Sequence, residues 1–87
     1  KRTDDAAALF RESASRFAAL GDIGSESAAR RRLSQCTAGP EAAREGARAV
    51  ELARLYGDQS LLDEALASLR DADLSGRDRH SEPTPSP

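Results

Sequence analysis

Apolar and small residues recur at helical spacing in four segments of the chain, and the same order of segments is written twice. From Ala42 to Leu69 it reads AAREGARAVELARLYGDQSLLDEALASL: an alanine-spaced helix, a Gly-Asp break, then a second amphipathic helix. The plan occurs once before, from Ala6 to Leu33, thirty-six residues upstream. Gly21-Asp22 matches Gly57-Asp58, Ala6 matches Ala42, Ala29 matches Ala65, and Leu33 matches Leu69. A fixed period of this kind marks units that bury their apolar faces against one another.

Taken in order, Thr3 caps a helix over about Asp4 to Leu20, with Asp4 and Asp5 complementing the dipole of its first turn. Ala6, Phe10, Ala14, Phe17 and Leu20 form its apolar stripe, and Gly21 ends it in the left-handed position. Ser25 is the expected cap of a short second helix reaching Cys36, with Ala28, Ala29, Leu33 and Cys36 on its apolar side. Gly39 breaks the chain, and Pro40 opens a third helix that runs to Tyr56. That helix presents Ala42, Gly46, Ala49, Val50, Ala53 and Tyr56. Gly46 costs about 1 kcal/mol against alanine inside a helix, and it reads as a close approach between backbones. Ser60 and Asp63 suggest a capping box for a fourth helix, about Leu61 to Ala72, that buries Leu62, Ala65, Leu66 and Leu69. The structured part is therefore residues 1–74, as two units. Residues 75–87 lack an apolar anchor, carry three prolines and are expected to be a disordered tail.

Composition sharpens the picture in a few places. A chain of 87 residues whose apolar content is mostly alanine and leucine makes one small domain with a thin core and closely packed helices. A net charge of −2 disfavours nucleic acid and anionic membranes as direct partners. No apolar run has the length of a membrane span. The single cysteine, Cys36, cannot form an internal disulfide and fits a reducing cytoplasm. A start at Lys1 reads as a piece of a longer protein.

The phrases FAALGDIGSESAARRRL and LARLYGDQSLLDEALASL resemble the tetratricopeptide repeat family in its longer bacterial and signalling version. In that resemblance the first and third helices correspond to the second helix of a repeat. The second and fourth correspond to the first helix of the following repeat. Ala6 and Ala42, Ala29 and Ala65, Leu33 and Leu69, and Cys36 and Ala72 meet the family's small and leucine positions. Arg30 stands where the family has a large apolar residue, which Leu66 supplies in the other copy. Ser34 and Arg70 replace its glycine. The resemblance implies an all-α fold of antiparallel helical hairpins, a right-handed α-solenoid fragment of four helices. It also implies binding of a protein or peptide on a concave face, with Arg31, Gln35, Glu64 and Asp71 lining that face. The implied settings are the sensory or regulatory arm of a bacterial transcription activator or signalling NTPase.

For each of those four residues taken singly, solvation of an ordinary polar helix face is the plainer explanation. The same holds for Arg30-Arg31-Arg32, which fan over about 200° of the helix and cannot make one patch. Cys36 sits in an apolar register and reads as a packing thiol. His80 has no partner at metal-ligand spacing. Thr84-Pro85 and Ser86-Pro87 would suit phosphorylation in a eukaryote, although a proline-rich linker is the commoner explanation. No nucleophile with its base, paired carboxylates or phosphate loop stands out. The reading is thus a non-enzymatic interaction module without cofactor or metal, completed by further repeats or by a homodimer. The competing reading is a self-associating structural bundle beside a catalytic domain in the parent protein.

Overall fold

The computed structural model describes residues 2–81, with side-chain surroundings from 3 to 71. The described residues form four helices and no strand: α1 (Arg2–Leu20), α2 (Ile23–Cys36), α3 (Gly39–Tyr56) and α4 (Gln59–Ser81). The fold is all-α, as the periodicity requires.

Both Gly-Asp junctions end a helix on a left-handed glycine. Gly21 and Gly57 adopt φ of 75° and 88°, the left-handed region that glycine enters without a Cβ penalty. After α1, the Gly21 N–H donates to the Ala18 carbonyl and the Asp22 N–H to that of Phe17, a Schellman ending. After α3 a single bond runs from the Gly57 N–H to the Ala53 carbonyl. The aspartate that follows then caps the next helix. Asp22 Oδ1 accepts from the Ser25 N–H, and Asp58 Oδ1 accepts from the Leu61 N–H, each at 3.2 Å. Asp22 and Asp58 therefore replace Ser25 and Ser60 as the caps. The Asp carboxylate already lies over the orphan N–H groups as the chain leaves the glycine, so the serine further on falls inside the helix.

The helix ends differ from the sequence reading in two more places. α1 begins at Arg2, ahead of the expected Thr3 cap, and α4 continues beyond Ala72 to Ser81. The expected tail thus begins as helix; residues 82–87, including Thr84 and Ser86, lie outside the described residues.

α2 is the hub. It packs against α1, α3 and α4, and α3 packs against α4. The apolar core is thin and rich in alanine. Ala49, Val50, Ala53 and Ala65 form its centre between α3 and α4, with Leu61, Leu62, Leu66 and Leu69 around them. Ala7 and Ala14 of α1 are buried, as are Ala29 and Leu33 of α2. Gly46 does permit close approach: a Cβ there would lie 3.0 Å from Leu69 Cδ1 and 3.5 Å from its Cα. The expected stripes extend too far at their ends, because Leu20 is 77 % and Tyr56 56 % exposed.

Candidate functional site

The three consecutive arginines of α2 leave the helix in three directions, and only Arg32 is exposed. The fan is the expected one, but the expected solvation holds for Arg32 alone. Arg30 turns toward α3. Its Nε donates to Glu26 Oε2 at 2.7 Å and its Nη1 to Glu45 Oε1 at 2.8 Å. Burial disfavours the guanidinium charge, but the hydrogen bonds and attraction from Glu26 and Glu45 outweigh it, and its pKa is raised. Arg30 is therefore charged throughout the working pH range. Ser27, fully buried beside this cluster, donates from Oγ to the Ala49 carbonyl at 2.7 Å.

Arg31 turns toward α4 instead. Its side chain is 17 % exposed, and Nη2 stands 3.6 Å from Glu64 Oε1, a charge contact too long for a direct hydrogen bond. Its Nε is buried and has no hydrogen-bond partner among the described residues. One turn further along α2, Gln35 Nε2 donates to Ser68 Oγ at 3.1 Å. The structure thus brings Arg31, Gln35 and Glu64 together along the seam of α2 and α4. Asp71 lies on α4 one turn beyond Ser68, exposed and with no described contact.

A groove of about 500 Å³ adjoins the end of this seam. Its walls include Asp4, Arg11, Gln35, Cys36 and Glu41. Arg11 and Glu41 pair there at 2.7 Å, tying α1 to the start of α3. Cys36 is half-buried and carries a free thiol.

Sequence reasoning missed Glu26, Ser27, Glu45 and Ser68. One signal was available: Glu26 and Arg30 stand four residues apart on one helix face, the spacing of a stabilising ion pair. No protein-family model, no curated protein and no solved structure matches the chain. No described helix is long and apolar enough to cross a membrane.

Proposed function

We propose that the chain is a protein- or peptide-binding module of tetratricopeptide-like, α-solenoid arrangement, acting in the cytoplasm through the joint face of α2 and α4. The observation that carries this reading is the Arg31 guanidinium, which packs against α4 with one donor unmatched and a loose contact to Glu64. A guanidinium offers five donors and binds a carboxylate strongly when two of them align. A partner carboxylate, from an acidic side chain or a peptide C-terminus, displaces Glu64 and takes that pairing. Gln35, exposed beside it, offers its amide to the partner's backbone, and Asp71 favours a basic residue nearby. Packing of α2 on both α1 and α4 supports the two-layer repeat arrangement, in which alternate helices share a face. A regulatory or sensory arm of a larger bacterial protein is the setting that the resemblance favours.

The test is selection of peptides from a random display library on the whole chain, followed by NMR mapping on the labelled protein. Enriched peptides carry an acidic residue or need their free C-terminus. Perturbed amides cluster at Arg31, Gln35, Glu64 and Asp71, and Arg31→Ala weakens binding about tenfold, equivalent to about 1.4 kcal/mol. Perturbations confined to another face, or affinity untouched by Arg31→Ala, overturn the reading.

A further inference from the structure

The internal repeat leaves two faces uncovered. α3 packs on α2 through residues whose counterparts on α1, thirty-six positions earlier, are exposed at Leu9 and Leu20 and half-buried at Ser13. α2 packs on α3 and α4 through residues whose counterparts on α4, thirty-six positions later, are exposed at Ser60, Asp63, Ala67 and Asp71 and half-buried at Leu66, at the edge of the core. Placing α4 of one copy against α1 and α2 of another therefore repeats a packing that the chain already makes within itself.

The side chains that such a repeat would bring together can be read directly from the internal contacts. The Arg30–Glu45 ion pair becomes Leu66 against Leu9. Charge is lost from both sides at once, leaving an apolar pair in which Leu9 is now 64 % exposed. The Tyr56 ring, which lies over Gly24, becomes Leu20 over Ser60. Ser27 and the Ala49 carbonyl become Asp63 and the Ser13 carbonyl, the position where the repeat loses a donor, since a carboxylate and a carbonyl both accept. Arg31 and Glu64 become Ala67 and Ala28, and the Gln35–Ser68 hydrogen bond becomes an Asp71–Arg32 ion pair. The other substituted pairs are chemically matched, and none sets like charges together. All the residues concerned are exposed or half-buried in the single chain.

We propose that the chain associates head to tail with further copies of itself, the α4 face of one copy docking on the α1–α2 face of the next. Leu66–Leu9 and Asp71–Arg32 are the central contacts. Because the two faces differ, the contact is heterologous, and a second copy leaves both end faces of the pair free to grow. The proposal does not rest on the peptide-binding reading: Arg31, which carries that reading, touches α4 of its own chain and takes no part between copies.

The experiment is sedimentation velocity of the full chain from about 10 µM to about 1 mM, a range that covers weak association. Expected is a mean mass that rises with concentration past that of a dimer. Leu9→Glu and Leu66→Arg each abolish the rise alone, and an equimolar mixture regains it, because the altered faces re-create between copies the charge pair that Arg30 and Glu45 make within one. A chain that stays monomeric, a mass that stops at a dimer, or a mixture of folded variants that stays monomeric overturns the proposal. Leu66 contributes to the core edge, so a crosslinking variant decides the matter if Leu66→Arg loses its helical circular dichroism. With Cys36→Ser, Ser13→Cys and Asp63→Cys in one chain, oxidation yields a ladder of covalent oligomers. Absence of the ladder overturns the proposal equally.

Discussion

At the scale of single residues, the least exposed charges matter because the apolar core around them is thin. Alanine offers little area to bury at roughly 25 cal/mol per Å², so losing one polar anchor is a large fraction of the stability of a small domain. Glu26 is only 6 % exposed, and Arg30 is what balances its charge. Arg30→Ala leaves Glu26 and Glu45 facing each other without a cation. Breaking a fully buried pair costs about 3–5 kcal/mol. Arg30 keeps 22 % of its side-chain surface, so the expected loss is roughly 2 kcal/mol. Urea denaturation measures it. Combining Arg30→Met with Glu26→Gln and Glu45→Gln should recover most of that loss, because no unpaired charge remains. If the triple variant is no more stable than Arg30→Ala, the penalty does not come from stranded carboxylates. Ser27→Ala removes the donor to the Ala49 carbonyl and is expected to cost about 1 kcal/mol in the same assay.

At the scale of elements, the two Gly-Asp junctions are equivalent devices, and this is testable as a symmetry. Asp22→Ala and Asp58→Ala should each cost about 1 kcal/mol, with asparagine at either position restoring most of it. Ser25→Ala should change stability little, since its side chain does not cap α2. A larger loss at Ser25 than at Asp22, read by thermal denaturation, would reverse the capping assignment. The breaks themselves were legible because glycine at a left-handed position is a local requirement of the backbone. The caps were not, because Asp22 and Ser25 are both good capping residues and only the path of the chain through the turn selects between them. Burial was half legible for a similar reason. Periodicity says which face of α1 is apolar, but not whether anything covers it, and Leu20 at the end of that stripe remains open. The resemblance implies one face for Arg31, Gln35, Glu64 and Asp71, and the structure brings the first three onto one seam. The resemblance could not find Glu45 or Ser68, whose contacts with α2 depend on how far one helix slides along another.

At the scale of the whole molecule, the hub position of α2 dictates how the chain comes apart. α2 has a neighbour on three sides, whereas α1 packs on α2 alone apart from the exposed Arg11–Glu41 pair. An exposed ion pair contributes about 0–1 kcal/mol, too little to hold α1 if its seam with α2 opens. An element held by one neighbour opens before one held by three. Native-state amide exchange should therefore show the slowest exchange in α2 and α3 around Leu33, Ala49 and Ala53, all fully buried. α1 should exchange faster as a cooperative block, because it loses one shared face and not a series of separate contacts. Arg11→Ala should leave that order unchanged and speed α1 by less than about fivefold, the equivalent of about 1 kcal/mol. Head-to-tail association predicts a further signature, since the next copy covers the open face of α1. Raising the protein concentration should slow exchange in α1 and the exposed side of α4 while α3 stays as it was. Uniform slowing across all four helices would instead indicate that association stabilises the fold globally, and α1 would then be no weaker an element than the rest.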